Sequence, residues 1–180
     1  MPNYRRAQEG STYFFTVVTY QRRRFLCLDE SRRHLREVVC RVRESHPFSI
    51  DAWVLLPDHM HCIWSLPEGD TNFSIRWALI KKGFTRNAKD WLDTPEPNLS
   101  RKAKREGTIW QRRFWEHVIR NDRDYKAHCD YIHYNPVKHG MVKAPLDWPH
   151  TTFHRYVKRG IYPEDWGAAP MRFGEDIGRE

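Results

Sequence analysis

The sequence predicts an α+β fold of the ferredoxin-like kind, an antiparallel sheet with helices packed on it, and three observations predict it. Segments of strand composition alternate with helical ones in the order strand, helix, hairpin, helix, strand, helix. The 180 residues fall within the size of one domain. A hydrophobic share of 39% and an aromatic share of 14% suffice for one core. Residues 1–180 are therefore read as a single domain.

Ser11 to Tyr20 (STYFFTVVTY) is rich in β-branched and aromatic residues, which predicts the first strand. In Ser31 to Ser45, Leu35, Val38, Val39 and Val42 recur at helical spacing behind a Ser cap, with arginines around the other face. Phe48 to Leu56 reads as a strand, Pro57-Asp58 supplies turn chemistry, and His59 to Leu66 reads as the returning strand of a hairpin. From Phe73 to about Leu92, Phe73, Trp77, Ile80 and Phe84 are spaced for a second helix, with Lys81, Lys82 and Arg86 toward solvent. Thr94 to Gly107 breaks the pattern as a basic loop or short helical insertion, either a mobile solvated connection or a strand-contacting segment. Trp110 to Arg120 returns to strand content, and Asp122 to Tyr134 fits a third helix that starts at an Asp cap and stops before Pro136. Residues 148–180 are rich in Pro, Gly and aromatics and predict an irregular tail over the domain, with a short helix at Thr151 to Arg159.

A formal net charge of +8 and a sequence pI near 9.5 favour a polyanionic partner. Most of the basic residues are arginine, which forks onto phosphate and stacks on bases, and this tilts the reading from membrane surface to nucleic acid. Cys27, Cys40, Cys62 and Cys129 form no CxxC pair, so neither a zinc knuckle nor a disulfide framework is indicated. No apolar run approaches the roughly 20 residues that span a bilayer, and MPNYRRAQEG lacks the apolar stretch of a signal peptide. A soluble, cytoplasmic protein is expected.

The chemistry is sought at two places. His59 and His61 are two apart, so on a strand both imidazoles share a face and can share one metal ion, while Met60 points into the core. The spacing is equally that of two histidines with no function. In DYIHYNP, Tyr131 and Asn135 are four apart and project from one helical face. A phenol attacking a phosphodiester needs the phosphate polarised by a cation, which two imidazoles and an amide oxygen would hold. Tyr131 and Tyr134 also suit plain packing, and Tyr134, three residues on, competes for the nucleophile role.

At these residues the chain resembles a known family. WVLLPDHMHCIWSLPEGD, with His59-Met60-His61, resembles the His-hydrophobic-His motif of the single-tyrosine transposases of the IS200/IS605 type, and DYIHYNPVKHGMV resembles their catalytic-tyrosine helix. Tyr4-Arg5-Arg6, STYFFTVVTY, IWQRRFWEHVIRNDRDY and DWPHTTFHRYVKRGIYPEDW are similar to the subgroup associated with repetitive extragenic palindromes, the REP-associated tyrosine transposases. The resemblance runs from about Tyr4 to about Trp166.

It implies a ferredoxin-like HUH nuclease domain that binds a DNA hairpin, cuts single-stranded DNA beside it, and forms a 5′-phosphotyrosine while releasing a 3′-hydroxyl. His59 and His61 would be metal ligands, Asn135 the third ligand and Tyr131 the nucleophile. Many insertion-sequence members carry Gln where this chain has Asn135, a shorter arm with the same amide oxygen. The ligand set would favour zinc or nickel on affinity alone, whereas the family implies Mg²⁺ or Mn²⁺. Arg5, Arg6, Arg22, Arg23, Arg24, Arg112 and Arg113, interleaved with aromatics, are the candidates for DNA contact. A bacterial, nucleoid-associated monomer is expected, with a dimer as the other possibility. Two other functions fit the same residues: a hairpin-binding regulator without catalysis, and a metal-dependent phosphoester hydrolase with a structural tyrosine.

Overall fold

A computed structural model describes residues 11–174 together with Ile177 and Gly178. Strands β1 (Thr12–Val18), β2 (Ser49–Leu55), β3 (His59–Ser65) and β4 (Trp115–Val118) form one antiparallel sheet in the order β2-β3-β1-β4. Helices α1 (Asp29–Ser45) and α2 (Phe73–Ala88) follow β1 and β3, so the βαββαβ order and the strand order are those of the ferredoxin-like fold. Helix α3 (Leu99–Ala103) lies in the insertion, and α4 (Asp122–Lys138) and α5 (Phe153–Lys158) follow the sheet.

The sheet is covered on both faces, which explains why all seven residues of β1 are buried. Tyr13, Phe15, Val17, Met60, Cys62 and Trp64 face α1 and α2, where Trp64 stacks on Trp77 at 4.2 Å. Phe14, Val54 and Ile63 face α4 and α5. Met60 therefore points away from the face that His59 and His61 share, as the alternation requires. In the β2–β3 turn, Leu56 N donates to His59 O at 2.9 Å across Pro57-Asp58, which fixes His59 as the first residue of β3.

Several expected boundaries move. Helix α1 begins at Asp29, so Ser31 is a buried first-turn residue instead of the cap; Asp29 and Glu30 supply negative charge at that end. The strand expected over Trp110 to Arg120 shrinks to four residues, because only Thr16 to Tyr13 of β1 offer it a partner and Trp110 meets Thr19 in an isolated bridge. Helix α4 is capped by Asn121, whose side chain accepts from Asp124 N, and runs through Pro136 to Lys138 instead of stopping. A proline keeps a helical φ and removes one hydrogen bond. Here that loss falls in the last two turns, where buried Tyr134, Asn135 and Pro136 anchor the helix.

The insertion is folded onto the domain. Asn98 caps α3, Thr108 Oγ1 donates to Pro95 O at 2.7 Å, and the buried Arg101 donates to Gly107 O and Trp110 O with its guanidinium 4.1 Å from the Tyr20 ring centroid. The tail covers the α4 side, with Trp166, Phe173 and Ile177 packed there and a short helix within the expected span.

Candidate active site

The site is built where β3 meets α4. Register places Val18 opposite His59 and Thr16 opposite His61. His61 Nδ1 shares a hydrogen bond with Thr16 Oγ1 at 2.9 Å, and His59 Nδ1 donates to Asp58 Oδ1 at 2.7 Å. The Asp58 carboxylate requires a proton on His59 Nδ1 and so leaves the lone pair on His59 Nε2, the atom a metal would take. The Thr16 hydroxyl can donate to or accept from His61 Nδ1, and a metal at His61 Nε2 requires Nδ1 to be the donor. Both rings are buried and their centroids are 5.0 Å apart. Burial alone would raise the Asp58 carboxyl, but the hydrogen bond from His59 and the Arg22 guanidinium at 3.2 Å outweigh it and hold it below the usual carboxylate range.

Helix α4 brings its residues to the same face. The Tyr131 ring lies 5.2 Å from His61, and the His139 ring lies 5.0 Å from His59. Asn135 is one turn from each along the helix, is fully buried, and so lies between them on the side that meets the histidines. Two imidazoles and a buried amide are a donor set that fits a divalent ion. The Tyr131 hydroxyl donates to Gly178 O at 2.9 Å and accepts from Lys138 Nζ at 2.9 Å, while Phe173 packs on the ring at 5.5 Å. Negative charge developing on the phenol oxygen would thus meet an ammonium. The tail also covers the hydroxyl, so a phosphate reaches it only after Gly178 and Phe173 give way.

Tyr134 turns elsewhere, with its ring against Trp166 and Phe173 and its hydroxyl accepting from Met171 N at 3.2 Å. His133 shares a hydrogen bond with Thr152 at 3.0 Å, and burial pushes it down to about 3, so it stays neutral.

A second group, His117, Asp124 and His128, could also hold a divalent cation. Its rings stack at 4.6 Å, His117 Nε2 lies 2.9 Å from Asp124 Oδ2, and His128 Nδ1 lies 3.0 Å from Asp124 Oδ1. Burial, the larger influence, draws the His128 imidazole down. Asp124 thus links His117 of β4 to His128 of α4, while His128 Nε2 is buried with no hydrogen-bond partner among the described residues. Phe14 separates this group from the first, touching His128 at 4.7 Å and His61 at 5.6 Å.

The expected arginines cluster at the His59 end of β1. Arg22 pairs with Asp58, Arg23 donates to Asp93 O and lies over Phe25, and Arg24 is exposed. Arg112 pairs with Glu106 at 2.8 Å, and Arg113 is exposed. Arg5 and Arg6 lie outside the described residues.

Sequence reasoning passed over Asp58, Thr16 and Lys138. Asp58 directly precedes the histidines, and Lys138 is seven residues after Tyr131, two helical turns along the same face. Thr16 depends on strand register, which no local pattern displays. Among the described residues no helix is long and apolar enough to cross a membrane.

Three comparisons bear on this arrangement. Residues 8–135 match the family described as transposase IS200 like, a stretch that spans His59, His61, Tyr131 and Asn135. The chain is 50% identical over 180 residues to the REP-associated tyrosine transposase of Escherichia coli (strain K12), covering 98% of this chain and 99% of that one. It is also similar to a solved structure of a REP-associated tyrosine transposase bound to a REP hairpin, with 48% identity, a TM-score of 0.73, and coverage of 99% of this chain and 100% of that one.

Proposed function

On the premise that the chain belongs to the IS200-like transposase family, we propose that it binds a REP-like DNA hairpin with a single-stranded flank and cleaves and rejoins that flank through Tyr131. It is a tyrosine transposase and therefore an enzyme acting on DNA. The observation that carries the residue roles is the Tyr131 ring 5.2 Å from His61, with Lys138 donating to its hydroxyl.

In cleavage the Tyr131 oxygen attacks the phosphorus, the bond to the 3′-oxygen breaks, and the products are a 5′-phosphotyrosine and a 3′-hydroxyl. The phenol proton, now directed at Gly178 O, leaves to water once the tail is displaced, and Lys138 stabilises the phenolate. The 3′-oxygen takes up a proton as it departs. Rejoining reverses these steps with another 3′-hydroxyl. His59, His61 and Asn135 would hold Mg²⁺ or Mn²⁺, which when bound supplies polarisation of the scissile phosphate.

Tyr131 and both histidines come from one chain, which supports a monomer with its nucleophile in cis. A soluble protein of the bacterial cytoplasm, associated with the nucleoid, accords with that role. The test is a denaturing gel of wild type and Tyr131→Phe with Mn²⁺ and a labelled hairpin bearing a single-stranded flank. A covalent band with wild type alone is expected; cleavage that survives in Tyr131→Phe would make the tyrosine structural.

A further inference from the structure

On the face of the sheet opposite Tyr131, helices α1 and α2 and the insertion enclose a groove of about 780 Å³. Its floor is set by Gly83, where a Cβ would meet Val38 Cγ1 at 2.8 Å, so α1 and α2 approach closely. Its far wall is the insertion, fixed by buried Arg101.

The groove is strongly basic. Lys82, Arg86 and Lys89 follow one another at spacings of four and three, forming a stripe along α2, with Arg41 of α1 and Arg105 of the insertion around them. All five are exposed, and no ion pair engages them among the described residues. The lining holds one carboxylate, Glu106, which pairs with Arg112. Elsewhere on α1 the contrast is plain: Arg32 and Arg33 pair with Asp29, Glu30 and Glu37 of their own helix. Lys81, at the groove wall, is drawn down to about 8 by burial and then by the Arg101 charge, a cost that an anion in the groove would relieve.

We propose that this groove seats the sugar-phosphate backbone of the duplex stem of the DNA substrate. The inference rests on the DNA-cleaving reading above. Cations with no exposed ring fit a duplex backbone; a single strand would call for aromatic platforms, and the aromatic residue of the lining, Trp110, is only 6% exposed. Continuity with the site supports the same substrate on both faces. Gln111, at the groove end, donates from its backbone N to Val18 O, and Val18 pairs with His59. Groove end and metal-ligand histidine are thus about 10 Å apart, two strand spacings. A stem in the groove would send its single-stranded flank around the end of β1, past Arg22, Arg24 and Arg113, to Tyr131. The insertion, which no motif explained, becomes one bank of the duplex seat.

The test measures binding of a flanked DNA hairpin by anisotropy across a salt series, for wild type, for Lys82→Gln/Arg86→Gln/Lys89→Gln, and for the control Arg32→Gln/Arg33→Gln. Each phosphate contact contributes about 0.9 to the slope of log K on log salt, so the triple variant should lose roughly 2 to 3 from that slope and bind at least about tenfold more weakly, with the control unchanged. The substituted side chains are exposed, so the melting temperature should hold. Slope and affinity equal to wild type in the folded triple variant would overturn the proposal. So would equal binding, with equal slope loss, of an RNA hairpin of the same sequence. If wild type forms no Tyr131 adduct while the triple variant still loses its slope, the groove stands and the nucleophile assignment fails.

Discussion

Asp58→Asn isolates what the carboxylate beside His59 contributes to metal binding. Asp58 Oδ1 accepts from His59 Nδ1 at 2.7 Å, and the carboxyl is held below its usual range, so it is ionised at neutral pH. The asparagine keeps an acceptor oxygen of the same shape and removes the charge. A charge-assisted bond is worth about 1.5–3 kcal/mol against about 1 for a neutral one, a difference of about 0.5–2 kcal/mol in holding the imidazole with Nε2 toward the ion. Converted at 1.4 kcal/mol per decade, that is roughly 2- to 30-fold in affinity, which overlaps the range usual for partners of metal-bound histidines. The assay is the Mn²⁺ midpoint of adduct formation alongside direct Mn²⁺ titration by calorimetry. Both midpoints should move to higher Mn²⁺ by that factor with the final adduct yield retained. Arg22→Gln should move the calorimetric midpoint the same way but less, since the guanidinium reaches the histidine through Asp58 and is screened by solvent. Asp124→Asn should leave both midpoints in place. An unchanged midpoint in Asp58→Asn would refute the reasoning, and a shift in Asp124→Asn instead would move the ion to His117, Asp124 and His128.

Three further outcomes follow from the same geometry. Lys138→Met removes the ammonium 2.9 Å from the phenol oxygen; a loss of about 1.5–3 kcal/mol predicts single-turnover adduct formation roughly 10- to 150-fold slower. Phe173→Ala loosens the cover on Tyr131; an aromatic contact of about 0.5–1.5 kcal/mol predicts roughly 2- to 12-fold faster adduct formation at saturating hairpin, and a slower rate would mean that the tail assists instead of blocks. His133 is neutral in the fold down to about pH 3, whereas the unfolded chain takes up the proton near its ordinary value. Unfolded chain then binds the extra proton, so stability is full above about pH 6.5 and falls by about 1.4 kcal/mol per unit as pH drops below it. Urea midpoints at pH 7 and pH 5 read the loss, and His133→Gln should flatten the slope by about one proton.

How much of this was legible in the chain depends on how local each cause is. Composition and periodicity gave β1, the β2–β3 hairpin and the three long helices because each is set by residues within a few positions of one another. The same holds for the histidines on one strand face and for Tyr131 with Asn135 on one helix face. The helix rule that ends a segment before proline failed at Pro136, because burial of the final turn outweighed one missing hydrogen bond. That failure concealed Lys138, which reaches Tyr131 only if the helix continues.

What tertiary structure alone decided is pairing across distance. Thr16 meets His61 through strand register, and Asp124 joins His117 to His128 through the docking of α4 against β4. The tail reaches Tyr131 from 47 residues away, and Arg101 fastens the insertion into the wall of a basic groove. Sequence by itself determines which backbone shapes are cheap and which side chains share a face, since those are short-range steric and solvation effects. Which faces then meet is fixed by burying all of them at once, a property of the whole chain that no window of residues contains.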